Sequence, residues 1–290
     1  MPVPKSAKGR PASDAARARR IGVMLFLLFV ALAALLGAFF VWSAGRNVAL
    51  GQDLCPKDKG YRPPRVVVIL VDQTDGLSEL HRSALQSEFR RILYEEFEST
   101  QAQERSQFSR IEIIAFRSGV AGALEIQGKM QLCNPGSVNS LTKWTANPAQ
   151  VRRRFEQQFL ELLEKELADL TKFKETGQSP ILEAIKHVSV SIFALPKYDN
   201  SEKRLVIASD MLHNTAELSF LRSQPSFEAV AKTPYGIRLM PDLKNVAVRI
   251  LLFTAQQPQL QGDALMNGFW MKYFARAGAD LGKLTAKRIP

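Results

Sequence analysis

The sequence has few of the residues that build metal clusters and nucleophilic sites. It contains two cysteines and three histidines in 290 residues. Two cysteines without neighbouring histidines cannot form the usual four-ligand zinc site. A nucleophile elbow, a glycine-rich phosphate loop and a histidine-based metal motif are also missing from the sequence. We therefore expect no catalytic residues of these classes.

Charge is missing from residues 21–42, which form the one long apolar run of the chain. At about 1.5 Å per residue, this run crosses a hydrocarbon core of about 30 Å once. Residues 1–20 carry six basic side chains and one acidic one, so the positive-inside rule keeps this tail in the cytoplasm and exports the rest. The alternative is a cleaved signal peptide, whose apolar region is typically about 7–15 residues long.

The expected organisation is therefore a cytoplasmic tail at 1–20, a transmembrane helix at 21–42, a linker at 43–64 and one domain at 65–290. The short basic tail, the anchor and the absence of glycosylation-rich loops favour a bacterial inner membrane with a periplasmic domain. In such an oxidising compartment an even pair of cysteines suggests a Cys55–Cys133 disulfide. Two unpaired thiols are the alternative.

The net charge of +11 does not indicate nucleic-acid binding. About +5 of it belongs to the cytoplasmic tail, and the tightest basic run beyond the anchor, residues 152–154, opens an amphipathic helix. Aromatic residues do not alternate with these arginines as they do in many single-strand binders. We expect a solvated helix face and no nucleic-acid partner.

The domain reads as strands that alternate with helices. Apolar runs predict strands at 66–71, 111–116, 204–208 and 246–253, and an alternating run predicts an edge strand at 123–132. Helical spacing predicts helices at 77–93, about 149–173, 180 onward and 264–279. The short connection at 117–122 predicts an antiparallel hairpin. The expected fold is therefore α/β and doubly wound, with a mostly parallel sheet and one antiparallel edge strand.

The segment Val66–Ser78, VVVILVDQTDGLS, places polar residues directly after a buried strand. Asp72 and Thr74 lie where open α/β sheets assemble ligand sites. This D-x-T arrangement resembles the metal-ion-dependent adhesion site of von Willebrand factor A (VWA) domains, whose motif is D-x-S-x-S. The third position is Gly76 here, so one hydroxyl is missing, while Asp75 adds a nearby carboxylate.

Two later segments resemble the same family in the same order. Gly177-x-Ser179-x-Ile181 is similar to the family's G-x-T-x-I/L loop, whose Thr is a ligand. A helix N-cap is the alternative role of Ser179. The run from Arg204 to Asp210 is similar to the family's strand ending in S-D-G, with Met211 at the Gly position. Asp210 could also cap a backbone turn.

The resemblance implies a divalent-cation site built by Asp72, Thr74, Ser179 and Asp210. Hard oxygen ligands suit Mg²⁺ or Mn²⁺. In the family a partner's carboxylate completes the coordination, so the expected partner is another envelope protein that offers an acidic residue. A metal-free degenerate domain that acts as a structural scaffold is the alternative.

An enzymatic alternative also starts from Asp72. Haloacid-dehalogenase-like phosphotransferases likewise begin with an apolar strand that ends in a nucleophilic Asp, and some read D-x-T there. The later acid pair and the phosphate-binding lysine of that chemistry are missing, since Asp210 stands alone after its strand. We therefore expect a protein that catalyses nothing.

The connection at 213–245 is long and rich in apolar residues. Such long connections tend to carry function or small elements of their own. Two interpretations are open. The segment forms one short helix at about 226–232 and a loop packed on the sheet, or it forms a partner-binding surface beside Asp72.

Overall fold

The computed structural model describes residues 12–44, 48–74, 76–98, 106–136, 147–171, 177–253 and 258–289. The chain forms two compact units, Met1–Val48 and Ala49–Pro290. The second unit begins before residue 65, and Leu54 and Cys55 of the expected linker are buried within it.

The first unit contains helix α1, Ala12–Ala44. Its stretch Arg19–Phe39 is long and apolar enough to cross a membrane. A helix that is apolar on all sides needs either a protein core or lipid around it. Within the described residues it is the one helix of this kind, as the sequence predicts.

The second unit is built on a six-stranded sheet in the order β3-β2-β1-β4-β5-β6. Every neighbouring pair is parallel except β2 and β3. The strands are β1 Arg65–Asp72, β2 Arg110–Ser118, β3 Leu124–Cys133, β4 Glu202–Ser209, β5 Val246–Phe253 and β6 Thr285–Ile289. The expected mostly parallel sheet with an antiparallel edge strand is confirmed.

Helices cover both faces of this sheet. The α-helical segments are α2 Glu79–Leu93, α3 Pro148–Arg153, α4 Glu161–Leu170, α5 Ile181–Val188, α6 Phe227–Val230, α7 Pro234–Leu239, α8 Asp263–Leu265 and α9 Met271–Arg276. Wider π-helical turns extend or join them at Tyr94–Glu98, Arg154–Leu160, Ser189–Phe193 and Met266–Trp270.

Two hydrophobic cores lie on the two faces of the sheet, and β1 contributes to both. Val66, Val68 and Leu70 pack with α5 and the C-terminal helices, whereas Val67 and Ile69 pack with α2 and α4. Successive side chains of a strand point to opposite faces. A strand that is apolar at every position therefore fits the centre of a sheet that is covered on both sides.

Some elements differ from the sequence prediction. The helix expected at 149–173 is interrupted by the π-turn between α3 and α4, and its last residues lie outside the described part. The short helix of one interpretation of segment 213–245 is present as α6, and a second short helix, α7, follows it. Strand β6 was not predicted, because the segment TAKRI has little apolar character and four of its five residues are exposed.

A disulfide joins Cys55 and Cys133, with a Cα–Cα distance of 4.8 Å. Cys133 ends β3 opposite the first residue of β2, so the bridge lies at the amino edge of the parallel sheet. It attaches the segment that enters β1 to the edge strand. The predicted pairing is confirmed.

Candidate functional site

A buried carboxylate, Asp72, lies at the centre of the carboxyl edge of the sheet. Its Oδ1 accepts hydrogen bonds from Thr74 N at 3.0 Å and from Thr74 Oγ1 at 2.6 Å. Its Oδ2 accepts from Ser179 Oγ at 3.0 Å and from Ser209 Oγ at 2.8 Å. We call Asp72, Thr74, Ser179 and Ser209 the Asp72 cluster. It joins three separate segments of the chain through one side chain.

The register of the sheet explains why Ser209 reaches Asp72. Strands β1 and β4 are parallel neighbours, and Val71 pairs with Ala208. Asp72 and Ser209 therefore follow paired positions at the same edge. Ser209 Oγ also accepts a hydrogen bond from Met211 N at 2.9 Å, so the hydroxyl both donates and accepts.

Ser179 is held beside Asp72 by backbone pairing with the loop after β4. Ser179 N donates to Asn214 O at 2.8 Å, and Asn214 N donates to Ser179 O at 2.9 Å. The Asn214 side chain also donates to Gly177 O at 2.7 Å. Helix α5 begins after Pro180 without a side-chain cap, so the hydroxyl of Ser179 serves Asp72 and not the helix terminus.

Asp210 is turned towards its own backbone turn. Its Oδ1 accepts from Leu212 N at 2.8 Å, and its carbonyl accepts from Gln261 Nε2 at 2.8 Å. Met211 follows with a φ of 61°, in the left-handed region that favours glycine. The fully buried Met211 side chain belongs to the core, and Trp270 Nε1 donates to its carbonyl at 3.0 Å. Packing thus maintains a backbone conformation for which the resemblance expects Gly.

Burial governs the electrostatics of the cluster. Asp72 has no exposed surface, and its removal from water raises the pKa of its carboxyl. Hydrogen bonds from Thr74, Ser209 and Ser179 oppose that rise because they stabilise the ionised form. Neutral donors from neighbouring loops therefore stabilise the buried carboxylate, while burial remains the larger effect and keeps its pKa above the ordinary value.

These residues, as arranged, do not fit a hydrated divalent cation. A carboxylate has about four lone-pair sites, and the four donors of the cluster occupy them at Asp72. Magnesium prefers six oxygen ligands and usually keeps several waters. Thr74, Ser179, Ser209 and Asp210 are between 0% and 4% exposed, so an ion held among them would have to give up most of its waters. No group of three His, Cys, Asp or Glu side chains within the described residues could hold a metal.

The hairpin between β2 and β3 lies beside the cluster. Gly122 has a φ of 80°, and a Cβ at this position would lie 1.9 Å from Gln178 Oε1. Ser118 Oγ donates to the same oxygen at 3.4 Å. The hairpin therefore contacts the loop that carries Ser179. At the hairpin tip, Val120 is 93% exposed.

The segment 213–245 is anchored to α5 by a buried polar network. Leu182 N donates to His213 Nδ1 at 3.4 Å, so Nε2 carries the proton and donates to Tyr235 Oη at 2.9 Å. The Tyr235 hydroxyl in turn donates to Glu183 Oε1 at 2.5 Å. Burial lowers the pKa of His213 to about 3 and raises the pKa of Glu183.

The structure thus brings together three of the four residues that the sequence singled out. Asp72, Thr74 and Ser179 are joined by hydrogen bonds, whereas Asp210 is next to the cluster and caps a turn. Ser209 was missed, although it precedes Asp210 in the same predicted motif. Asp75 lies outside the described residues.

Comparisons with known proteins identify similar structures but no similar sequence. No family model and no curated protein matches the chain. Proximal thread matrix protein 1 from the mussel byssus, in a structure with a zinc-occupied MIDAS motif, aligns at 11% identity and a TM-score of 0.38 over 78% of this chain and 44% of that one. The conserved hypothetical protein BatB from Bacteroides thetaiotaomicron aligns at 13% identity and a TM-score of 0.34 over 78% and 90%.

An aerotolerance-related membrane protein from Bacteroides fragilis aligns at 14% identity and a TM-score of 0.27 over 64% and 66% of the two chains. The chain spans less than half the length of the mussel protein. With scores this low, the fold assignment rests on the strand order, the antiparallel edge strand and the position of Asp72. These features describe a VWA-like domain that follows an N-terminal apolar helix.

Proposed function

We propose that this chain is a single-pass inner-membrane protein whose periplasmic VWA-like domain binds another envelope protein and catalyses nothing. The binding surface in this proposal is the carboxyl edge of the sheet. Open α/β sheets bind their ligands at this edge.

The Asp72 cluster is the observation that carries this proposal. One buried acid ties together the loop after β1, the loop before α5 and the end of β4. Such a cluster fixes three neighbouring loops relative to one another, which reduces the ordering that a partner must impose when it binds. Asp72 itself has no exposed surface and no unoccupied acceptor, so it is a poor nucleophile. The arrangement supports recognition in preference to phosphoryl transfer.

Site-specific photo-cross-linking in native membranes tests the binding surface. Val120 at the carboxyl edge and Leu281 before β6, at the amino edge, are both exposed apolar residues, with 93% and 47% of their surface accessible. A photoreactive residue at position 120 should form a discrete cross-linked product that the same residue at position 281 does not form. Equal products at both positions, or none at 120, would contradict the proposed surface.

The orientation has its own test. A reporter that is active only in the periplasm should be active when fused after Pro290, because the basic tail at 1–20 holds the N-terminus inside. Activity of a cytoplasm-only reporter at that position would reverse the topology.

A structural scaffold without a cation is the second candidate. It is favoured by the same hydrogen bonds, which occupy the acceptor positions of Asp72 and make the cluster a stable link between three segments of the domain. In that case neither position 120 nor position 281 yields a cross-link, while disruption of the cluster still lowers the stability of the domain.

A further inference from the structure

We propose that the Asp72 cluster is a cation-independent lock, in which hydroxyl and backbone donors take the place of a divalent cation at the carboxyl edge of the sheet. The inference deepens the proposed function, because its consequence for a partner rests on binding at this edge. The lock itself can be tested without any partner.

Four hydrogen-bond donors point at the carboxylate of Asp72. Thr74 supplies a backbone N–H and a hydroxyl to Oδ1 of Asp72, and Ser179 and Ser209 supply hydroxyls to Oδ2. Each hydroxyl has one hydrogen, and each directs it at the carboxylate. The negative charge is thereby satisfied inside the protein, where an unpaired carboxylate would be costly.

Few oxygen atoms at this edge remain available as cation ligands. The Ser209 oxygen accepts from Met211 N, and Oδ1 of Asp210 accepts from Leu212 N. Gly76 offers no side-chain oxygen where a third hydroxyl is expected. Besides the second carboxylate oxygen of Asp210, only the hydroxyl oxygens of Thr74 and Ser179 remain. An octahedral ion would have to complete its shell with several waters among residues that are at most 4% exposed.

The residue after Asp210 also opposes a rearrangement around a cation. Met211 keeps the left-handed backbone that suits glycine, yet its side chain is fully buried in the core. The loop after β4 is therefore held by packing and by the Trp270 hydrogen bond. Movement of this loop to admit an ion would expose a buried methionine, which costs free energy.

The consequence is a partner that docks without a bridging ion. An acidic partner side chain has no positive charge to meet at this cluster. Binding at the carboxyl edge then depends on the shape and hydrogen bonding of the surrounding loops. Addition of a chelator should leave this binding unchanged.

Thermal unfolding of the full chain in detergent micelles is the first test. The melting temperature in about 5 mM Mg²⁺ or Mn²⁺ should equal that in about 5 mM EDTA. A cation present at about 100 times its Kd would instead raise it by roughly 5–10 °C, since only the folded state forms the site. A rise of this size in the native chain that disappears in Thr74→Val would overturn the proposal.

Mn²⁺ titration followed by electron paramagnetic resonance provides the second measurement, because bound Mn²⁺ loses the signal of the free hydrated ion. The native chain and Thr74→Val should leave equal free-ion signals. Equal losses in both chains also support the lock, since the ion then binds elsewhere. A loss confined to the native chain places the ion at Thr74 and refutes it. Neither result depends on cross-linking from position 120, so the lock and the binding surface can fail separately.

Discussion

Replacement of Ser209 by alanine tests how much the Asp72 cluster stabilises the domain. Ser209 Oγ donates to Asp72 Oδ2 at 2.8 Å and accepts from Met211 N at 2.9 Å. Ser209→Ala removes both hydrogen bonds without enlarging the side chain. Both partners are completely buried, so water cannot replace the lost hydroxyl.

The expected cost follows from the two groups left behind. A hydrogen bond to a charged group contributes about 1.5–3 kcal/mol, and a buried N–H without a partner costs about 1–3 kcal/mol. With partial relaxation, the free energy of unfolding should fall by about 2–5 kcal/mol. For a domain of this size, at about 2–4 °C per kcal/mol, that corresponds to a decrease in Tm of roughly 4–20 °C.

Urea unfolding followed by tryptophan fluorescence measures this change, and Ser87→Ala is the matched control. The Ser87 hydroxyl donates to Ser83 O on the exposed face of α2, so its removal should change the free energy of unfolding by less than about 0.5 kcal/mol. If Ser209→Ala and Ser87→Ala have equal effects, Ser209 does not hold Asp72 and the cluster is not a lock.

Two further perturbations test the buried network and the disulfide. Burial lowers the pKa of His213 to about 3 from an ordinary value of 6.5. Between pH 3 and pH 6.5, His213 is therefore protonated in the unfolded chain and neutral in the folded chain. The free energy of unfolding should therefore fall as the pH drops below about 6.5, by up to about 1.4 kcal/mol per pH unit more than in His213→Gln. Urea titrations in which the free energy of unfolding depends on pH equally in both chains would refute this. The free energy of unfolding of the Cys55→Ser/Cys133→Ser double variant should be lower by at most roughly 4 kcal/mol, the value that chain entropy gives for a bridge across a sequence separation of 78. Native protein isolated without reductant should show no alkylated cysteine by mass spectrometry, and two alkylated thiols would exclude the bridge.

The fold could be predicted where hydrophobic pattern determines it. The uninterrupted run from Val66 to Val71 has no polar face, so it requires a strand that is covered on both sides. The hairpin of β2 and β3 followed from a short connection between an apolar run and an alternating run. Strand β6 could not be found in this way, because an exposed edge strand with two basic residues, Lys287 and Arg288, resembles a loop.

The site could be predicted only in part, since its chemistry depends on register and hydrogen-bond direction. Asp72 and Thr74 are neighbours in sequence, and Ser179 followed from the order of the motifs. The role of Ser209 requires that β4 pair with β1 in one particular register. Sequence spacing also cannot reveal that every acceptor of Asp72 is already occupied, nor that Asp210 caps a turn.

Crystals of the protein grown with millimolar Mn²⁺ would test the central claim most directly. Manganese scatters anomalously, so an ion at the carboxyl edge would give a peak at the hydroxyls of Thr74 and Ser179. We expect no anomalous peak there, with Ser179 Oγ and Ser209 Oγ still donating to Asp72. A peak within about 2–2.5 Å of Thr74 Oγ1, with the Asp72 hydrogen bonds rearranged around it, would show that the cluster is a cation site after all.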